Sequence, residues 1–202
     1  MTKLDELLTT DQAAAIDTLR STLGVDPAAD PKFWECLLAQ TLSGVTTAAS
    51  AAHDIDLAGI GVEVKFSREF SMVLGDNRRS NVFRWTALSG HGSTPKDASS
   101  TILVGLDRSR CVWFWVIPAD AVDGTRTVTC VVPSDRRGSD RSALGGYACD
   151  TSDLLGRVLH YDAEHHAQTR QRARTAALEA QMDPMFGPEI LGCEGGAERG
   201  AV

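Results

Sequence analysis

The chain has 202 residues, 43% hydrophobic and 23% charged, with a net charge of −7 at neutral pH. That length and balance predict one domain with a sizeable core, and exclude a disordered polyelectrolyte or an overall basic nucleic-acid coat. No apolar run approaches a membrane span and the N-terminus lacks a signal-peptide core, which predicts a cytoplasmic protein. The five cysteines (Cys36, Cys111, Cys130, Cys149, Cys193) are odd in number and form no CxxC pair, so they are expected as reduced thiols.

In chain order, Ala13, Ile16, Leu19 and Leu23 predict a weakly amphipathic helix closed by Gly24. A turn-rich stretch follows, and Asp30-Pro31 then predicts a helix start, with Asp as N-cap, running to Ser43-Gly44. Phe33, Leu37 and Thr41 make one stripe of that helix, beside Trp34, Leu38 and Leu42. Glu35 lies off the stripe at an expected solvated position. Residues 46–52 are small and polar, linking this helix to the next element.

The most informative stretch is His53 to Ser67, H-D-I-D-L-A-G-I-G-V-E-V-K-F-S. Val62, Val64 and Phe66 alternate with Glu63, Lys65 and Ser67, the period of a half-buried strand. With Gly59-Ile60 as a two-residue turn, Asp56 is expected opposite Glu63 and Asp54 opposite Lys65, all four on one face. Facing carboxylates repel unless a cation offsets them, and Mg²⁺ is suited to one or two carboxylates plus water and substrate oxygens. A nearby lysine can orient a water or stabilise charge developing on a phosphate. The plainer alternative is a surface hairpin with an ordinary Asp54–Lys65 ion pair.

Asp56, six residues, then Glu63-Val64-Lys65 resembles the active-site signature of the PD-(D/E)xK nuclease superfamily, which includes many type II restriction endonucleases. The short spacing is most similar to mismatch-repair nicking endonucleases, and residues 37–44 resemble the helix before the hairpin in those enzymes. The resemblance covers residues 37–66. It implies a restriction-endonuclease-like α/β/α sandwich with a central mixed β-sheet, and a Mg²⁺-dependent endonuclease acting on double-stranded DNA in restriction or phage defence. It also implies that Asp56, Glu63 and the Val64 carbonyl hold the metal, that Lys65 positions or activates the attacking water, and that Asp54 supports the metal shell or pairs with Lys65. A further helix acid is expected, for which Gln40 has the better distance and Glu35 the right chemistry. The competing expectation is a catalytically inactive nuclease-like fold that binds DNA or protein. An enzyme cutting both strands of a palindrome would be a homodimer.

Beyond Lys65, residues 66–142 form the one basic stretch, with eleven basic and eight acidic side chains, as a polyanion partner would require. Arg78, Arg79, Asn81 and Arg84 around a Gly75-Asp76-Asn77 turn are candidate DNA contacts, as are Arg136, Arg137 and Arg141 in a Gly/Ser/Arg loop. Residues 89–100 read as a polar loop in which His91 is solvated. Thr101–Leu106 and Cys111–Ile117 predict central strands joined by a four-residue hairpin, with Thr127–Val132 as a further strand. Ala119–Val122 predicts one helical turn. A short helix with Leu154, Leu155, Val158 and Leu159 on its apolar side and a polar helix over 163–182 complete a domain of residues 1–182; 183–202 are expected as a disordered tail. His160, His165 and His166 with Asp162 and Glu164 are metal-like only in composition, and are expected on a solvated face.

Overall fold

The computed structural model describes residues 2–48, 51–73, 75, 77, 79–88, 98–122, 125–133 and 144–182. After a short strand β1 (Thr2–Lys3), helix α1 (Thr10–Leu23) starts where Thr9 and Gln12 exchange side-chain bonds with each other's main-chain N–H groups. It ends at Gly24, in the left-handed conformation that glycine adopts at low cost. Helix α2 (Pro31–Leu42) is capped by Asp30, whose carboxylate accepts the Lys32 N–H at 2.8 Å. Both helices have the expected limits.

Strands β2 (Val45–Thr46), β3 (Ile55–Leu57) and β4 (Ile60–Arg68) follow, then β5 (Phe70–Val73), β6 (Arg79–Thr86), β7 (Ser100–Leu106) and β8 (Cys111–Pro118). The one-turn helix α3 (Ala119–Val122), β9 (Thr127–Val131), β10 (Ala148–Cys149) and helix α4 (Leu154–Met182) complete the described chain. The central sheet is mixed, with order β1-β8-β7-β4-β3-β2 and β10 also on β8. β4 runs parallel to β7, and the other pairs are antiparallel. A second sheet, β5-β6-β9, is antiparallel. This is an α/β sandwich around a mixed sheet, as the sequence predicted.

Every residue of β7 is buried, because both faces of the sheet are covered. One core joins Val62, Val64, Ile102 and Val104 to Trp34, Leu38, Leu154 and Val158 from the helices. The other joins Leu103, Trp115 and Ile117 to Phe83 and Trp85 of the second sheet. The predicted β7–β8 hairpin is present. Buried Asp107 organises its loop by accepting the Ser109 and Cys111 N–H groups, both at 2.9 Å, and the Trp113 indole at 3.1 Å. Cys111 and Cys130 are buried, Cys36 is exposed, and burial pushes the Cys149 thiol up to about 11.

α4 is one 29-residue helix rather than two. Nothing in His160-Tyr161-Asp162 breaks a helix, so the polarity change there marks only the end of the packed turns. Leu154 and Val158 enter the core while Leu155 and Leu159 are exposed, so the apolar side is half as wide as expected. Contacts divide the chain into residues 1–165 and 166–202, and the second unit is described only as the end of α4. The expected tail, 183–202, lies outside the described residues. Among the described residues no helix is long and apolar enough to cross a membrane.

α2 is clasped to the sheet by Trp34, whose ring stacks on Phe66 of β4 at 5.4 Å and whose indole donates to the Ala28 carbonyl at 3.0 Å. At its other end Gly44 lies so close to β3 that an added Cβ would stand 2.8 Å from the Asp56 carbonyl oxygen and 2.3 Å from Leu57 Cδ2. Gly44→Ala should therefore destabilise the protein by about 1–3 kcal/mol, the usual cost of forcing atoms into a filled space. Denaturant unfolding beside wild type measures this, and an unchanged midpoint would contradict the close approach.

Candidate active site

The hairpin that carries the candidate residues differs in register from the expectation. Leu57 stands opposite Ile60, Asp56 opposite Gly61 and Ile55 opposite Val62. The turn is Ala58-Gly59, with positive φ at both (55° and 95°), the requirement of a type I′ turn. Asp56 is not opposite Glu63. Its carboxylate accepts the Gly59 N–H at 2.7 Å and braces the turn. The regular pairing ends at Ile55, and the Asp54 N–H donates to the Val62 carbonyl at 3.0 Å, so Asp54 is not opposite Lys65. A two-residue shift preserves faces, so Asp56 keeps the face of Glu63 and Lys65 although its partner changes.

β3 begins at Ile55, so at Val64 the strand β4 has outrun its neighbour. The Asp54 carboxylate fills the gap by accepting the Val64 N–H at 2.8 Å. The segment leading to Asp54 is tied back by Thr47: its N–H donates to the Asp54 carbonyl at 3.0 Å and its hydroxyl to the His53 carbonyl. Thr47 is thus a supporting residue that the sequence did not single out, since a threonine in a small polar linker carries no distinctive signal.

Glu63 is 4% exposed, and the Lys65 ammonium contacts its carboxylate along the same face of β4. A carboxylate so buried needs a positive partner, because its ionised form would otherwise lack both water and counter-ion. Burial pushes the Asp54 carboxyl above the usual carboxylate range. The Val64 N–H opposes that shift; the Glu63 and Glu35 charges add to it, and Lys65 subtracts. Glu35 is not the solvated helix acid expected: its side chain is 15% exposed and contacts the Lys32 ammonium, which holds the Lys32 pKa above its ordinary value. Gln40, the alternative helix residue, has its amide oxygen bonded to Gln12 at 3.2 Å.

Asp54 and Glu63 are hard oxygen donors that a divalent cation would relieve of mutual repulsion. An extended residue's N–H and C=O leave the strand on one side, so the Val64 carbonyl also faces the Asp54 side. Among the described residues no group of three or more His, Cys, Asp or Glu side chains is placed to hold a metal ion. Mg²⁺ does not require one, since it keeps several waters and uses one or two carboxylates. The donor set fits that ion.

Of the candidate DNA contacts, Arg79 and Arg84 are exposed and Asn81 is half-buried. Strand alternation puts Arg79 and Asn81 on the face with Phe83 and Trp85, and Arg84 on the opposite face, so the three do not form one surface. Arg78, Arg136, Arg137, Arg141 and His91 lie outside the described residues. Part of the basic stretch is neutralised within the fold: Arg68 and Arg110 pair with Asp26 at 3.7 and 3.8 Å, and Arg108 with Glu69 at 3.4 Å. His160 Nε2 lies 3.4 Å from Glu164 on an exposed face of α4.

No protein-family model matches the sequence, and no curated protein does. Among solved structures, a bacterial homing endonuclease, I-Ssp6803I, is similar with a TM-score of 0.42 and 14% identity, over 66% of this chain and 92% of that one. A likeness that slight decides nothing about activity, and the assignment below rests on the residues of this chain.

The raised Asp54 pKa has a consequence for stability. The folded state holds this proton more tightly than the unfolded one, so no penalty exists below the ordinary carboxylate range. The penalty grows as pH rises through the raised pKa and is complete above it. Asp54→Asn can still accept the Val64 N–H without the charge. In metal-free buffer it should melt at or above wild type at neutral pH, with the gap closing under acid. Thermal melts across that pH range measure it, and a neutral-pH melting temperature clearly below wild type would refute the strain on Asp54.

Proposed function

We propose that the protein is a Mg²⁺-dependent endonuclease that hydrolyses phosphodiester bonds of double-stranded DNA, of restriction or phage-defence type. The observation that carries this reading is the Asp54 carboxylate held by the Val64 N–H, next to the buried Glu63 that Lys65 contacts. In this reading Asp54 takes the place that the spacing first suggested for Asp56. Asp54, Glu63 and the Val64 carbonyl would hold the cation, and Glu35 does not join them in a three-acid group. When bound, Mg²⁺ supplies Lewis-acid charge for phosphodiester hydrolysis.

The chain's own groups do the rest. Burial of Glu63 keeps its carboxylate fixed and unhydrated. Lys65 lies beside it, placed to orient a water toward phosphorus and to stabilise negative charge as it develops on the phosphate. Asp56, engaged in the turn, keeps the hairpin in register. Arg79 and Arg84, exposed on opposite faces of β6, and any of the arginines at 78, 136, 137 and 141 would contact the DNA backbone. Restriction of a palindrome would involve a homodimer.

A second reading is a catalytically inactive module of the same fold. It is favoured by the Lys65 ammonium resting on Glu63, an ion pair that offsets the buried charge without a metal. Plasmid DNA of several methylation states, incubated with and without Mg²⁺, separates the two. The enzyme predicts Mg²⁺-dependent fragments, lost by about 10²-fold or more in Asp54→Asn and Lys65→Ala and retained in Asp56→Asn. Asp54→Asn is the better control, because Lys65→Ala also removes the partner of a buried carboxylate and costs stability. Intact DNA throughout would favour the inactive module, and equal loss in Asp56→Asn would restore Asp56 to the site.

A further inference from the structure

Helix α4 changes character along its length. Leu154 and Val158 are buried in the core, whereas every residue from 166 to 179 is exposed. Leu178 is the one large apolar side chain in that exposed stretch, so burial of an apolar face does not hold it. Propensity does, since alanine, glutamine and arginine make up most of residues 166–182. The stretch is basic in a chain of net charge −7: Arg170, Arg172 and Arg174 stand against one acid, Glu179. Elsewhere the fold neutralises arginines, Asp26 pairing with Arg68 and Arg110, and Glu69 with Arg108. Among the described residues no ion pair engages Arg170, Arg172 or Arg174. Successive helix residues are about 100° apart, so Arg170 and Arg172 leave the helix on opposite sides of Gln171. Gln168, Gln171, Arg172 and Thr175 recur at helical spacing and line one hollow.

We propose that residues 166–182 of α4 bind double-stranded DNA, the helix lying in the major groove with Gln168 and Gln171 toward base edges and the arginines on phosphates to either side. The proposal takes its partner from the nuclease reading, and assigns a DNA-binding surface outside the candidate active site. The dimensions agree: a helix of residues 166–182 is about 25 Å long and about 10–12 Å across, and the major groove is about 12 Å wide. Guanidinium groups without carboxylate partners suit phosphate oxygens, which they bind as planar, two-pronged donors. A glutamine amide donates and accepts at once, as an adenine edge requires. A second copy of this chain is the poorer occupant, because amides, arginines and small side chains offer little apolar surface for a protein to bury.

The test is fluorescence anisotropy of a labelled DNA duplex titrated with the full chain over a range of salt. It is run in EDTA and again in Ca²⁺, so that binding is read apart from Mg²⁺-dependent cleavage. Wild type is compared with the triple variant Arg170→Gln/Arg172→Gln/Arg174→Gln and with Arg20→Gln, an exposed arginine of α1 paired with Asp17. Glutamine keeps the helix propensity of arginine, and circular dichroism checks that α4 persists. The triple variant should bind roughly tenfold or more weakly at low salt, and the slope of log affinity against log salt should fall by about two to three, one phosphate contact per arginine. The triple lysine variant, which keeps the charge, should retain that slope, and Arg20→Gln should match wild type. An RNA duplex, whose major groove is too deep and narrow for side chains to read, should compete poorly. Equal affinity and slope in the glutamine variant, or an equal loss in Arg20→Gln, would overturn the assignment and leave the nuclease reading standing. An RNA duplex that competes as well as DNA would overturn the groove placement. Self-association lost in the glutamine variant with DNA binding intact would give the helix to a second copy instead. No duplex binding by wild type in either condition would overturn both the assignment and the nuclease reading.

Discussion

The hydrogen bond from the Val64 N–H to the Asp54 carboxylate is where fold and site meet. β4 is a central strand that continues past the end of its antiparallel neighbour. A main-chain N–H in that position must find an acceptor, since burying it unpaired costs about as much as losing a hydrogen bond. A side chain supplies what the missing strand residue would have supplied. The solution brings a carboxylate into the plane of the sheet, against Glu63 and partly out of water. Stability and chemistry are opposed here: the group that completes the backbone pairing carries a charge that its surroundings disfavour.

The helix layer extends the same logic. Trp34 fixes α2 over Phe66, and Gly44 lets the end of the helix approach β3 without an intervening side chain. The position after Trp34 is Glu35, so a packing residue and a candidate site residue are set by one contact. Packed aromatics of this kind are rigid, which places Glu35 by more than its own ion pair. The candidate acids thus lie on two layers of the sandwich, and each layer is anchored independently of any charge.

Most of the architecture was legible in the sequence, because it rests on strong periodic signals. The limits of α1 and α2, the apolar runs of β7 and β8, and the four-residue hairpin between them all follow from patterning and caps. The hairpin register did not, for an identifiable reason. Gly59-Ile60 fits the rule for a type II′ turn, whereas the actual turn uses Ala58, a residue with a side chain, in the left-handed region. Asp56 supports that conformation by bonding to Gly59, and no pattern of hydrophobicity reports such a contact. Because the slip is two residues, Asp56 kept the face of Glu63 and Lys65 while its partner changed. Glu35 was misjudged because a helical wheel shows which residues avoid the core, not which are held and covered by a side chain one turn away, here Lys32. β1, β2 and β10 are two residues long, too short for any periodicity.

The parallel pairing of β4 with β7 also fixes when the site is completed. Val62 pairs with Ser100 and Arg68 with Leu106, a constant separation of 38 residues along the chain. Contacts so far apart in sequence form late, since the loop must be closed before they are rewarded. The β3–β4 hairpin, by contrast, needs only neighbours. During synthesis Asp54, Glu63 and Lys65 can therefore come together before β7 has been made. Glu63 leaves water only when β7 docks beside it. A partly made chain thus carries the candidate residues in their final order before β7 has joined β4 and completed their surroundings.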